Sequence, residues 1–549
     1  MYGSKIVLIS GPISSGKSSL ASELAEHNFT VAKTSDFLKE EAESRDVDVS
    51  NRVAKQNLAL SLDRETGGAW VARRVLNRFS EAVRQPMLGT ADRSYAVLVV
   101  EGFRIPEQVR LVRQMASTPV LHVHVVADSE VLKQRYESRR LRQDINLTYE
   151  EAAGHPNEQK IDDLRNEADL VLDTGRTSIE DCKIRVLSRL GVYASPDIRC
   201  VDVIVGGQYG SEGKGHVAAY LSKEYDILVR VGGPNAGHKV KTAEHLYTYH
   251  QLPSGCRDHS TARVLIGPGA IVNPTNILKE ISDCNLGPDR LVIDRNAMII
   301  SQDDIASEVK LVASISSTGQ GVGAATARKI LGRGEETTML AEACPDLKPF
   351  VGDTQVELEQ AYASGKKVLL EGTQGTGLSI HHGSYPHVTS RDTTVAGCLS
   401  EAGISPARVR RILLVVRTYP IRVANPSTGG TSGQLKREIS FSDIAKRSGL
   451  DPKVLLETEK TSTTKRDRRV GEFEWDLFRL SCALNAPTDV VLTFADYLDA
   501  KNALAYRYEQ LTVETQAFIE ELERVAHAPV SLINTKFEYR SVIDRRNWH

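Results

Sequence analysis

The sequence predicts an α/β protein. Two glycine-rich loops, Gly11-Pro12-Ile13-Ser14-Ser15-Gly16-Lys17-Ser18 and Gly206-Gly207-Gln208-Tyr209-Gly210-Ser211-Glu212-Gly213-Lys214-Gly215, each follow a short apolar run and open a new segment. Further apolar runs of strand length alternate with stretches of helical periodicity, the pattern of a parallel sheet with helices on its faces. With 549 residues the chain is long enough for roughly two to four domains, each able to bury a core.

A formal net charge of −2 gives no broad field to attract nucleic acid or an acidic membrane. The seven cysteines (Cys182, Cys200, Cys256, Cys284, Cys344, Cys398 and Cys482) are scattered, without the C-x-x-C spacing of zinc or redox sites. They read as ordinary thiols of a reducing compartment. The chain enters a strand without a signal-peptide pattern, and no apolar run reaches membrane-helix length. The expectation is a cytoplasmic protein that binds neither nucleic acid nor membrane.

In the N-terminal third, the run Lys5 to Ser10 leads into a strict Walker A loop and then the helical pattern Leu20, Leu24, Ala25. In such a loop the backbone amides around Gly11 and Gly16 cradle phosphates. Lys17 reaches the β- and γ-phosphates, and the Ser18 hydroxyl coordinates magnesium. Further strands are expected at Ala96 to Val100, Pro119 to Ala127 and Ala168 to Leu172. Asp36 and Glu101 stand where acidic residues meet metal or substrate hydroxyls in such folds. Arg135, Arg139, Arg140 and Arg142 recur at near-helical spacing, suited either to phosphate recognition or to a solvated helix face. The arrangement resembles small nucleotide kinases of the nucleoside-monophosphate and dephospho-coenzyme A kinase type, including the tail Ala168-Asp169-Leu170-Val171-Leu172-Asp173. The resemblance implies a P-loop kinase-like domain over residues 1–192. Gly191 to Arg199 breaks both periodicities and reads as a linker, so a second domain is expected over residues 200–549.

The second loop departs from the Walker pattern. The segment Gly207 to Gly213 is one residue too long, and Gly215 stands where a magnesium-binding hydroxyl residue belongs. Any metal there must be completed from elsewhere. After it come the strand Ile227 to Val231 and Gly232-Gly233-Pro234-Asn235-Ala236-Gly237-His238. Next, in order, are Leu252-Pro253-Ser254-Gly255, Ile266-Gly267-Pro268-Gly269, Ser317-Thr318-Gly319-Gln320-Gly321-Val322-Gly323 and Leu370-Glu371-Gly372-Thr373-Gln374-Gly375. Gly383 to Ser390 and Thr463-Thr464-Lys465-Arg466-Asp467-Arg468-Arg469 close the series. This ordered set resembles the adenylosuccinate synthetase family over essentially Val201 to the C-terminus.

The resemblance implies an α/β domain with a large, mostly parallel central sheet, and a ligase chemistry. In that chemistry a nucleoside triphosphate phosphorylates the purine 6-oxygen, and the L-aspartate amine then displaces the phosphate. Lys214 with Gly210, Glu212, Gly213 and Gly215 would bind the triphosphate, and His238 would donate a hydrogen bond or proton to the transferring group. Gln374 would orient the 6-oxygen. Asn235, Thr318, Gly319 and Thr389 would hold the purine monophosphate. Thr463, Thr464, Arg466 and Arg468 would recognise the aspartate. Mg2+ would be bound with help from Gly237. Asp496, ending the run Val490 to Ala495, matches the reader of the donor's base, but Phe494 replaces a lysine that selects guanine in most of the family. The donor is therefore expected to be ATP or GTP.

Ser211 is the departure that bears on the substrate. The family's usual aspartate at this position serves as base and magnesium ligand, whereas a serine hydroxyl is neutral, shorter and a far weaker base. A smaller residue admits a purine with a 2-amino group, and the chain resembles the phage and archaeal-type 2-aminodeoxyadenylosuccinate synthetases that act on dGMP. The leading expectation is thus a dGMP-type ligase fused to a nucleotide kinase. The alternatives are an ordinary IMP-type synthetase using GTP and a non-catalytic nucleotide sensor. Family members form homodimers in which an arginine reaches the partner's monophosphate; Arg328 and Arg333 are the candidates.

Overall fold

The computed structural model describes residues 4–27, 29–47, 52–84, 96–143, 147–154, 156–191, 199–242, 244–334, 339–427, 429–459, 467–538 and 541–546. Contacts divide the chain into two compact units, Met1–Pro196 and Asp197–His549. Both are α/β.

In the first unit, β1 (Lys5–Ser10), β2 (Thr30–Lys33), β3 (Val97–Phe103), β4 (Val120–Val126) and β5 (Leu170–Asp173) form one parallel sheet in the order β2-β3-β1-β4-β5. β1 is apolar along its length because helices cover both faces of the sheet; Ile6, Val7, Leu8 and Ile9 are fully buried. Its carboxyl end lies between β3 and β4, so the Walker loop emerges where ligands of open parallel sheets bind. The register pairs Ile9 with Glu101 and Ser10 with His124, which brings both to the loop's base. Gly11 cannot be replaced: a Cβ there would lie 2.2 Å from the Val125 carbonyl oxygen.

The second unit is built on ten strands. From one edge they run Val351–Gly352, Leu291–Asp294, Arg263–Ile266, β7 (Ile227–Arg230), Val368–Glu371, β6 (Val201–Gly206), Val409–Arg417, Asp489–Thr493, Val530–Asn534 and Val542–Asp544. Every pairing is parallel except the last. Apolar cores lie on both faces, one around Val203, Val229 and Leu370 and one around Ile204, Leu228 and Leu369. Alternation of side chains along each strand sends successive residues to opposite cores.

Register then places the site. Glu371 is level with Ile204 on one side and with Arg230 on the other, while Val415 is level with Gly206 and Arg417 with Thr493. The loops that follow five of six neighbouring strands therefore open at one carboxyl edge. They carry Gly207 to Gly213, Asn235 to His238, Gln374, Phe494 to Asp496, and, beyond Asn534, Phe537.

Candidate functional site

In the second unit a cavity of about 630 Å3 opens at this edge. It brings together Gly210, Ser211, Gly213, Lys214, Gly215, Asn235, Gly237, His238, Thr318, Gln374, Thr389, Arg468 and Asp496, residues spread across more than half of the chain. Two expected residues stand behind the wall. Gly319 follows Thr318 in a left-handed turn, and Glu212 is wholly buried beneath the loop. Thr463, Thr464 and Arg466 lie outside the described residues.

Glu212 folds the phosphate loop. Its Oε1 accepts from the backbone N–H groups of Gln208 at 3.0 Å and Gly210 at 2.8 Å, and its Oε2 accepts from Lys214 Nζ at 2.7 Å. Carboxylate and ammonium are both buried, so neither is stable without the other. The lysine is thereby held at the start of the helix Lys214–Leu221, where backbone N–H groups face any bound phosphate. The glycine at 215 has a steric cause. A Cβ there would come within 2.4 Å of His238 Cβ, so His238 occupies the space a Walker hydroxyl residue needs.

His238 is oriented by an acid that sequence reading left without a role. Its Nδ1 lies 2.5 Å from Oε1 of Glu371, which also accepts from the Ser254 hydroxyl and, through Oε2, from the Ser254 N–H. An ionised carboxylate can only accept, so the closer contact to Glu371 favours a proton on Nδ1, although Arg230 Nη1 also lies 2.8 Å from this nitrogen, and Nε2 is turned to the cavity. Burial, with Arg230 nearby, holds the imidazole down to about 4 against the opposing pull of Glu371. Glu371 is kept ionised: burial works against it, but Arg230 and His238 hold its carboxyl well below the usual range.

Five cavity residues carry a buried polar atom without a hydrogen-bond partner among the described residues: Asn235 Oδ1, His238 Nε2, Gln374 Oε1, His387 Nδ1 and Asp496 Oδ1. Each such atom costs about 1–3 kcal/mol unless something satisfies it. A polar ligand bearing several donors and acceptors would satisfy such a set. Gln374 sits at positive φ with its other amide end on the Thr389 hydroxyl at 2.9 Å, so the free end is aimed by its neighbour. Burial pushes the Asp496 carboxyl up to about 7, against the pull of its backbone hydrogen bonds and Arg417.

A second buried acid joins three parts of the wall. Glu459 accepts from Arg417 Nη2 at 2.8 Å, Arg468 Nη1 at 2.8 Å and the Tyr497 hydroxyl at 2.5 Å. Burial opposes its ionisation, yet the two guanidinium groups hold it at about 2. Arg417 also donates to the Ser211 carbonyl at 3.1 Å, fixing the backbone of the residue on which the substrate question turns. Arg468, expected to read aspartate, is thus paired within its own chain. Glu308 accepts from the N–H groups of Gly321, Gly323 and Ala324 and so shapes the turn after Thr318. Nothing in local spacing signals Glu371, Arg417, Glu459, Glu308 or Phe537; only the register of Glu371 at the end of an apolar run could have marked it.

The first unit has a site of its own. Lys17 Nζ donates to the carbonyls of Gly11 and Pro12 at 2.8 and 2.7 Å. Burial and nearby Arg104 lower it to about 7, against Glu158 and Glu101. Ser18 Oγ donates to Glu101 at 2.8 Å, and Lys33 pairs with the same carboxylate at 2.9 Å. Asp36 pairs with Lys39, 3.7 Å away. The arginine cluster is dispersed: Arg135 donates to Thr174, Arg140 to Glu137, and Arg139 lies over the Tyr136 ring. The Arg142 side chain lies outside the described residues.

Comparison with known proteins agrees with this architecture. The sequence model of the family described as adenylosuccinate synthetase matches residues 203–343 and 334–530, and one described as AAA domain matches residues 7–153. The adenylosuccinate synthetase of Methanocaldococcus jannaschii is 35% identical over 354 residues, covering 63% of this chain and 96% of that protein. The succinoaminodeoxyadenylate synthetase of cyanophage S-2L, solved with dGMP and with dATP as an energy donor, is 27% identical with a TM-score of 0.54, covering 64% of this chain and 96% of that one. The fully ligated adenylosuccinate synthetase of Plasmodium falciparum, 20% identical with a TM-score of 0.55 over 63% of this chain and 100% of its own, shares the fold. Fold and site define a carbon–nitrogen ligase unit that handles nucleotides, joined to a P-loop kinase-like unit. The chain belongs to the adenylosuccinate synthetase family.

The lowered imidazole of His238 has a stability consequence. Its proton affinity is depressed in the folded chain, to about 4 from an ordinary value of 6.5. The unfolded chain therefore binds the extra proton between these values. Stability is full above pH 6.5 and declines as the pH falls toward 4. His238→Gln is expected to flatten this part of the stability–pH curve, measured by urea unfolding from pH 4 to 7; an unchanged slope would show that the imidazole is not held neutral.

Proposed function

We propose that residues 200–549 join L-aspartate to the 6-position of a purine deoxynucleoside monophosphate, dGMP, at the expense of a nucleoside triphosphate. The observation that carries this reading is the set of unsatisfied polar atoms on Asn235, His238, Gln374 and Asp496, which share one cavity with Ser211 and Lys214.

In the first step the γ-phosphoryl group leaves the donor and bonds to the purine 6-oxygen, giving a nucleoside diphosphate. In the second the aspartate amine bonds to C6, and the C6–O bond breaks to release phosphate. Lys214 and the loop N–H groups would stabilise charge on the transferring oxygens. His238 would present Nε2 to the same group, whose negative charge raises the imidazole's proton affinity and favours the protonated, donating form. Gln374 would orient the 6-oxygen. Asn235, Thr318, Gly319 and Thr389 would hold the monophosphate. Arg468, exchanging Glu459 for a substrate carboxylate, would meet the aspartate together with Thr463, Thr464 and Arg466.

Magnesium fits the two units differently. Ser18 and Glu101 offer a hydroxyl and a carboxylate side by side. In the ligase unit Ser211 and Gly237 offer neutral oxygens, while Glu212 is committed to the loop, so an ion there would be carried chiefly by the phosphates. When bound, it neutralises charge on the transferring phosphoryl oxygens.

Ser211 supports dGMP over IMP. The loop presses on Gln374, to the point that a Cβ at Gly210 would lie 3.1 Å from Gln374 Cα. An aspartate at 211 would crowd a purine 2-amino group, and the serine leaves room for it. The cyanophage protein solved with dGMP fits this reading, whereas the archaeal synthetases at 35% identity fit an IMP-type enzyme. Incubation of the chain with aspartate, magnesium, ATP or GTP, and either dGMP or IMP is expected to give a succinyl-purine product from dGMP by mass spectrometry. Product from IMP alone identifies an ordinary synthetase, and none from either a nucleotide sensor.

A homodimer is part of the proposal. Arg328 is bound to Asp304 and the Ile299 carbonyl, which leaves the exposed Arg333 to reach a partner's monophosphate, beside the 81% exposed Leu331.

Residues 1–192 are proposed to be a nucleotide kinase domain. With ATP the chain is expected to convert dGMP, dAMP or diaminopurine deoxynucleoside monophosphate to a diphosphate. Lys17→Ala should lower that rate by about 10²–10³-fold and leave succinyl product unchanged. Formation of no diphosphate from any of the three would mark the unit as a regulatory NTPase.

A further inference from the structure

Arg422 lies in the wall of the ligase cavity at 4% exposure, and among the described residues no carboxylate stands within ion-pair distance of it. Burial works against its charge, and its Nη1 has no hydrogen-bond partner among the described residues. A buried cation in this condition is costly. What it does touch is therefore informative. Its Nε donates to the Ser432 carbonyl at 3.0 Å and its Nη2 to the His387 carbonyl at 3.3 Å. The guanidinium also lies over the Tyr209 ring, 4.2 Å from the centroid, and the Tyr209 hydroxyl is fixed in turn by donating to Glu474 at 2.9 Å. Gly433 keeps the space clear, since a Cβ there would come within 1.9 Å of Nη2.

Tyr209, His387 and Ser432 all line the cavity. Tyr209 stands two residues before Ser211 in the phosphate loop, and His387 stands two residues before Thr389, whose hydroxyl holds the Gln374 amide. One planar group thus ties the loop that presents Ser211 to the loop that presents Thr389. It uses edge donors and a flat face together, a combination that a guanidinium offers and an ammonium does not.

Resting on the ligase reading above, we propose that Arg422 is a positioning residue for the purine monophosphate: it holds the phosphate loop and the Thr389 loop at the separation needed by a nucleotide that spans Ser211, Gln374 and Thr389. The monophosphate meets both loops and so depends on their spacing. A chain of phosphates meets the first loop alone, and Glu212 shapes that loop independently of Arg422. Loss of Arg422 should therefore separate the two kinds of ligand.

Calorimetry on the full chain carrying Lys17→Ala, which silences the first phosphate loop, tests this with dGMP, IMP and inorganic tripolyphosphate, in magnesium and without aspartate. Any monophosphate held by the first unit is common to every variant. Arg422→Met keeps the stem and removes the donors; it is expected to weaken the tighter-binding monophosphate about tenfold and to leave tripolyphosphate within about twofold. Arg422→Lys keeps a charge but loses the edge and the flat face, and is expected to weaken the same monophosphate by about fivefold or more. Full monophosphate affinity in Arg422→Lys would show that charge alone matters and would overturn the positioning role. Unchanged monophosphate binding in Arg422→Met would overturn it too, as would equal losses for both kinds of ligand, the mark of a merely structural residue, or no monophosphate binding in the native chain. Because no ligation is measured, a chain that makes no succinyl-purine yet shows these affinities refutes the ligase reading and keeps the positioning role. A chain that ligates while both variants bind as the native does refutes the positioning role and keeps the ligase reading.

Discussion

The fully buried carboxylate of Glu212 is the constraint on which the second unit's site depends. It binds two backbone N–H groups of the loop and the Lys214 ammonium at once, so loop shape and lysine position are set before a nucleotide arrives. Such pre-organisation avoids ordering costs on binding and aims positive charge where negative charge develops. The loop is also anchored from neighbouring strands: Thr493 donates to the Glu212 carbonyl at 2.6 Å and Arg417 to the Ser211 carbonyl. Ser211 is consequently presented on a rigid frame.

The two phosphate loops solve one problem in different ways. In the first unit Lys17 donates to carbonyls of its own loop and has no direct acidic partner among the described residues, and burial lowers it to about 7. In the second Lys214 is paired with Glu212. The second lysine already has a counter-charge within the protein; the first, with none among the described residues, gains most from a phosphate. Their dissimilar surroundings fit two separate origins joined in one chain.

Much of the fold was legible because its signals are local. Apolar runs marked most strands of the first sheet but only Val201–Gly206, Ile227–Arg230 and Asp489–Thr493 of the ten in the second, and glycine spacing marked both loops, with boundaries shifted by a few residues, as in β3, which continues to Phe103. The family resemblance placed Asn235, His238, Thr318, Gln374, Thr389 and Asp496, and the cavity gathers them. What stayed hidden is non-local. Glu371 is 133 positions from His238, and Glu459 meets Arg417 and Tyr497 from about 40 positions away on either side. Phe537 belongs to no apolar run, and only parallel pairing of Val530–Asn534 with Asp489–Thr493 brings it to Phe494. By composition a basic run such as that around Arg468 is usually a solvated face, yet Arg468 is held by a buried acid. Gly215, an anomaly in the motif, follows from the position of His238.

Ser211 as the selector of the monophosphate is tested most directly by the ratio of kcat/KM for dGMP to that for IMP, measured in the native chain and in Ser211→Asp. A ratio above one that falls about tenfold or more in the variant is the predicted result, since a single crowding or polar group in a binding pocket discriminates by about that much. An unchanged ratio would contradict it.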